Sequence, residues 1–142
     1  MTRQEIRLCG FDMKTKADAP VVLLVEDETV VREITGQVLQ SAGYRVLESG
    51  SPKEALHLAS EHPGRLDVLL TDVVMPGMTG IDLANMLRDQ RPDMITIFMS
   101  GYAEGDILRK ISLSSGLHIQ KPFTVSFLLS RIAEALNGGV TQ

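Results

Sequence analysis

From Pro20 onward, short runs of branched apolar residues alternate with stretches in which apolar residues return every three or four positions. Val21 to Val25 is apolar at every position, the pattern of a strand covered by helices on both faces. Val30 or Val31, Ile34, Val38 and Ala42 then recur at helical spacing, and Gly43 suits the stop. Tyr44 to Glu48 reads as a second strand. Ser51-Pro52-Lys53-Glu54 has the order of a capping box with proline at the first helical position. That helix runs to about His62, where Pro63-Gly64 ends it. Leu66 to Asp72 gives a third strand, and Thr79 suits the N-cap of a helix carrying Ile81, Leu83, Met86 and Leu87. Met94 to Ser100 reads as the fourth strand, and Ile107, Leu108 and Ile111 mark a weaker helix. Leu117 to Gln120 is a short fifth strand. Thr124 then caps a last helix with Phe127 or Leu128, Ile132 and Ala135 or Leu136 inward, closed by Gly138-Gly139.

Five strands alternating with five helices predict an α/β fold, a five-stranded parallel sheet with helices on both faces. Right-handed crossovers leave few topologies, and the order 2-1-3-4-5 is a common one, with strands 1 and 3 adjacent at the switch point. The periodic region sets a domain over residues 20–138, with a tail or linker at 1–19 and a short tail at 139–142. In such sheets ligands bind beyond the carboxyl ends of the strands.

Composition narrows the class without changing the picture. With 142 residues, 44% hydrophobic and 23% charged, the chain is long enough for a single globular core. A formal net charge of −4 offers no reason to bind nucleic acid or an anionic membrane. Cys9 is the single cysteine, so no internal disulfide forms. The apolar runs are far shorter than a membrane span, and the first twenty residues lack the apolar stretch of a signal peptide. A cytoplasmic location is the expectation.

The chemistry lies at the strand ends. Glu26, Asp27 and Glu28 follow the first strand, Asp72 closes the third, Ser100 closes the fourth, and Lys121-Pro122 follow the fifth. If strands 1 and 3 are neighbours, Glu26, Asp27 and Asp72 converge, and carboxylates so close call for a neutralising cation. A cluster of oxygen ligands suits Mg²⁺, with the Val74 carbonyl as a neutral addition. Metal and Lys121 together offset the repulsion between Asp72 and a phosphoryl donor, and Ser100 supplies a hydroxyl. Asp72 would then carry an acyl phosphate.

These residues resemble a known pattern. VVLLVEDE, LLTDVVMPGMTGIDL, FMSGYA and IQKPF, at their spacings, make the stretch from Val21 to Asn137 similar to the receiver domain of bacterial response regulators, a flavodoxin-like fold. The resemblance implies that Asp72 is the phosphorylation site of a two-component phosphorelay, and that Glu26, Asp27 and the Val74 carbonyl hold Mg²⁺ with it. It implies Ser100 as the switch hydroxyl and Lys121 as the conserved-type lysine, with Pro122 in a cis bond. The donor is then a phosphohistidine on a histidine kinase or a histidine phosphotransfer protein. Phosphorylation is expected to switch the surface from the fourth strand to the fifth helix, toward a downstream protein that the sequence does not name. Many relatives pair when phosphorylated, but no signature for pairing stands out here.

One position departs from the pattern. Three residues before the lysine, where the family usually has an aromatic, stands His118, and Tyr102 is a second candidate for the aromatic role. Val74 and Tyr102 sit two residues beyond Asp72 and Ser100, a pair that tunes acyl-phosphate lifetime in relatives. Neither side chain orients water as an acid or amide would, so a lifetime of minutes or longer is expected. A haloacid dehalogenase-like phosphatase uses a similar kit, but its second acid would stand at Val74. The chain is therefore read as a phosphoacceptor and not as an enzyme acting on outside substrates. A phosphorylation-independent scaffold is the other alternative. FMSGYA and IQKPF also resemble receivers at the C-terminal ends of sensor kinases, which would make the N-terminal tail a linker. Only Gly138 to Gln142 follow the last helix, so output through a surface is expected.

Overall fold

The computed structural model describes residues 19–101, 109–111 and 116–138. Its strands are β1 (Val21–Val25), β2 (Arg45–Ser49), β3 (Val68–Asp72), β4 (Ile95–Ser100) and β5 (Leu117–Gln120). The helices are α1 (Thr29–Ser41), α2 (Pro52–Glu61), α3 (Gly80–Gln90) and α4 (Val125–Leu136), the last being the fifth helix expected from the sequence. Between β4 and β5, residues 109–111 are helical, while Ile107 and Leu108 lie outside the described residues. All neighbouring strands pair in parallel, in the order β2-β1-β3-β4-β5.

The even burial of β1 and β3 follows from helices on both faces. Val21, Leu23 and Val25 of β1 join Leu69 and Phe98 in a core closed by Ala55 and Ala59 of α2 and by Ile81, Leu83 and Leu87 of α3. Val22 and Leu24 point the other way, with Leu70, Ile97 and Met99, against Leu39 of α1 and Leu128 and Ile132 of α4. The period of two along each strand thus builds two cores from one sheet.

The caps agree with the sequence, with one shift. Thr79 and Thr124 accept hydrogen bonds from the backbone N–H groups of Asp82 and Phe127. Ser51 accepts from the Glu54 N–H, but the Glu54 carboxylate reaches the Gly50 N–H one residue outside the expected box. Gly43, at φ +101°, takes the left-handed turn after α1.

The inward face of α1 differs from the expectation. Its buried residues are Thr35, Gly36 and Leu39, whereas Val30 and Ile34 are exposed and so is Ala42. Gly36 lies against the Glu48 side chain of β2, whose carboxylate would have to move aside for an added Cβ. Met86 and Phe127 are likewise half-exposed, and Leu128 is the inward member of its pair.

Candidate functional site

The sheet order brings the carboxyl ends of β1, β3 and β4 side by side. Glu26 follows β1 and is almost fully buried; its N–H donates to the Ser49 carbonyl at 3.0 Å, and its carbonyl accepts from Arg32 Nη1 at 2.9 Å. These bonds aim its carboxylate inward, where Oε1 accepts from Lys121 Nζ at 2.8 Å and Oε2 from the Glu28 N–H at 3.2 Å. Asp72 ends β3 at 6% exposure, its Oδ1 2.6 Å from the same Lys121 Nζ. The Thr71 hydroxyl donates to the Asp72 carbonyl at 2.9 Å, and α3 starts directly against it. A Cβ at Gly80 would collide with that carbonyl oxygen, so glycine is what lets the helix approach the aspartate.

Lys121 is delivered by its own backbone. Its N–H donates to the Ser100 carbonyl at 2.8 Å, which continues the β4–β5 ladder and sets the side chain over Glu26 and Asp72. The Lys121–Pro122 peptide bond is cis. Ser100 is buried, and its hydroxyl lies 2.8 Å from His118 Nε2. Phe98 pairs with His118 and Ser100 with Gln120, so Ser100 and His118 are diagonal neighbours on one face of the sheet. Val74 is 73% exposed on the rim. Glu26, Asp27, Asp72, Val74, Ser100 and Lys121 line one cavity of ≈ 340 Å³. Tyr102 lies outside the described residues.

The charges do not balance. Carboxylate oxygens of Glu26, Asp27 and Asp72 lie within 4.8 Å of one another, and one ammonium faces them. Burial first, then the hydrogen bond and charge of Glu26, push the Asp72 carboxyl up to about 7. Burial raises Glu26 too, but its hydrogen bonds to Asp72, Lys121 and the Glu28 N–H prevail and leave it below the usual carboxylate value. Lys121 is held above its ordinary value because the two acids outweigh its own desolvation. Three hard oxygen donors, excess negative charge and an open cavity with room for water fit the requirements of Mg²⁺. Such an ion would be held by Glu26, Asp27 and Asp72.

Sequence reasoning anticipated Glu26, Asp27, Asp72, Val74, Ser100 and Lys121 around one cavity. It missed Arg32, which pins the acidic loop by its backbone, and Gly80, which admits α3. It also missed the direct Ser100–His118 hydrogen bond. Strand register would have found that bond, because both residues stand two or fewer positions from the ends of adjacent strands.

Comparison with known proteins decides the family. The response regulator receiver domain family matches residues 22–133. The chain belongs to this family. It is 42% identical over 116 residues to the sensor kinase CckA of Brucella abortus, covering 81% of this chain and 12% of that protein. It is 31% identical over 128 residues to the transcriptional regulatory protein PdtaR of Mycobacterium tuberculosis, covering 87% of this chain and 61% of the relative. Among solved structures, a CheY-like receiver domain protein of Methanospirillum hungatei superposes with a TM-score of 0.78 at 28% identity, covering 86% of this chain and 97% of that one. The receiver domain of the hybrid histidine kinase CckA gives 0.70 at 34% identity, over 82% and 98%. This receiver thus spans only part of the curated relatives it matches. Receivers are the phosphoacceptor modules of two-component signalling, regulatory domains rather than enzymes with a substrate of their own. Among the described residues, no helix is long and apolar enough to cross a membrane.

Proposed function

We propose that Asp72 is the phosphoacceptor and that Glu26, Asp27, the Val74 carbonyl and Asp72 itself bind Mg²⁺. The observation that carries this reading is the buried Asp72 sharing one lysine with Glu26 at the mouth of the cavity. An Asp72 oxygen attacks phosphorus, the P–N bond of a phosphohistidine breaks, and its electron pair leaves with the imidazole. Mg²⁺, when bound, offsets the charge that gathers between carboxylate and phosphoryl group. Lys121 neutralises a phosphoryl oxygen, for which it leaves at least one of its two acids, and the Ser100 hydroxyl donates to another.

The donor is a phosphohistidine on a histidine kinase or phosphotransfer protein. Next to the cavity, Val31, Ile34, Pro122, Phe123, Val125 and Leu128 line an apolar groove of ≈ 580 Å³ between α1 and α4, with Lys121 at its edge. A protein that brings an imidazole to Asp72 must rest on this rim, and the groove supplies apolar area for it. Output runs from β4 to α4. Val74, exposed and unable to orient water, supports an acyl phosphate lasting minutes or longer, and decay within seconds would overturn that part.

The test is intact-mass measurement after incubation with Mg²⁺ and a small acyl-phosphate donor, with Asp72→Asn alongside. One phosphoryl adduct on the wild type alone, lost on chelating the metal, is expected. Absence of an adduct on the folded, Mg²⁺-bound protein would point instead to a scaffold without phosphoryl transfer.

A further inference from the structure

Ser100 has one hydroxyl proton to give. In the structure its oxygen is 2.8 Å from His118 Nε2, within reach of a full hydrogen bond, while the same residue lines the cavity that holds Asp72 and Lys121. Burial holds His118 below the ordinary histidine value, so at neutral pH its ring is uncharged and carries one N–H donor and one bare acceptor nitrogen. In the tautomer whose Nε2 is bare the hydroxyl donates to His118, and in the Nε2–H tautomer the ring donates to the hydroxyl. A phosphoryl group on Asp72 decides between them. Its oxygens are stronger acceptors than imidazole because the bond is charge-assisted. The Ser100 proton turns toward the phosphoryl group, and Oγ is left with only lone pairs facing His118.

We propose that His118 is a positioning residue for Ser100 and that phosphorylation reverses their hydrogen bond, from Ser100 donating to His118 into His118 Nε2–H donating to Ser100. This inference rests on Asp72 being the phosphoacceptor. The reversal balances: the imidazole proton passes from Nδ1 to Nε2 through water, with no change in net charge. The signal then leaves the site as a change of tautomer, which alters what Nδ1 offers to its surroundings. An aromatic ring without nitrogen has no such state to report.

The experiment uses the full chain, labelled with ¹⁵N-histidine, with Mg²⁺ and beryllium fluoride as the phosphoryl mimic. ¹⁹F resonances report whether the mimic is bound, and ring ¹⁵N shifts assign the tautomer. The expected result is His118 Nε2 changing from a bare to a protonated nitrogen as the mimic binds, with Ser100→Ala abolishing the change. A second measurement follows binding of the mimic. His118→Phe should weaken it about fivefold, the size of one neutral hydrogen bond, while His118→Gln, which keeps a donor, stays within about twofold. In the Ser100→Ala background the two variants should bind alike. A bound mimic with an unchanged His118 tautomer overturns the inference and leaves the phosphoacceptor reading standing. Failure of the mimic to bind at all overturns that reading, and the inference with it.

Discussion

Two aspartates bracket β3, and they are treated in opposite ways. Asp67, at the amino end, accepts the Val21 N–H at 2.8 Å on one oxygen and meets Arg65 at 3.1 Å on the other. Its own backbone joins β1 to β4, through bonds to the Val21 carbonyl and from the Ile95 N–H. Everything it presents is answered, and it ties three strands together. Asp72, five residues on, is more deeply buried and shares its single cation with Glu26. Its carboxyl is pushed up to about 7, mainly by burial and then by Glu26. A buried acid left short of positive charge costs stability, and such costs mark sites that await a partner. The amino end of the sheet is finished, and the carboxyl end is left short of positive charge. A larger cleft of ≈ 810 Å³ does lie at the amino end, bordered by Pro20, Tyr44, Arg65 and Asp67, but its acid is already paired.

The contrast is broken hardest by crowding the open end. Gly80→Ala puts a methyl group into the Asp72 carbonyl, which cannot yield without moving β3 or α3. A loss of more than about 3 kcal/mol in urea unfolding is expected, with loss of phosphorylation from the displaced aspartate. At the other end, an added methyl at Gly64 meets only the His62 ring at 3.5 Å, an ordinary contact. Gly64→Ala should therefore stay within about 0.5 kcal/mol of wild type. Equal losses at the two sites would mean that glycine near Asp72 has no special duty.

Acidity gives the next largest effect. The folded state holds a proton on Asp72 up to about 7, whereas the unfolded chain releases it near 3.8. Between those values the native state binds more protons, so stability of the metal-free protein falls as pH rises. Glu26 shifts the other way below 4.5, and His118, held below 6.5 by burial, opposes Asp72 within the range from 5 to 7, where the larger shift of Asp72 sets the sign. The net loss across that range should be at most about 2 kcal/mol by urea unfolding in chelator, and Mg²⁺ should reduce it. Metal-free stability that rises from pH 5 to 7 would show that Asp72 is not short of positive charge.

Much of this arrangement was legible in the sequence because parallel sheets put chemistry where apolar runs stop. Val21–Val25 and Val68–Asp72 are buried at every position, and the polar residues after them mark the cavity without any knowledge of packing. Helix faces were harder to read. On α1 the apolar residues Val30 and Ile34 lie outside, and Thr35 and Gly36 lie inside with Leu39. Hydrophobicity orders residues by solvent preference and is blind to how much room a contact leaves. The same blindness hid Gly80 and Arg32, whose duties are to fit against a carbonyl and to hold one.

The smallest effects separate the two partners of Asp67. Asp67→Ala leaves the partly buried Val21 N–H without its acceptor, and a loss of about 1–2 kcal/mol is expected. Asp72→Asn, which removes a charge that the site carries in excess, should cost less than this at pH 7 in chelator, or gain stability. Arg65 is the other partner, and its side chain is 82% exposed. Water and salt screen such a pair, and the long side chain loses entropy in holding it. Arg65→Ala should then cost less than about 0.5 kcal/mol, and added salt should leave that small difference unchanged or erase it. If Arg65→Ala cost as much as Asp67→Ala, the ion pair and not the backbone bond would be what finishes the amino end. Asp67 would then depend on one cation just as Asp72 does, and the difference between the two ends would be one of supply alone.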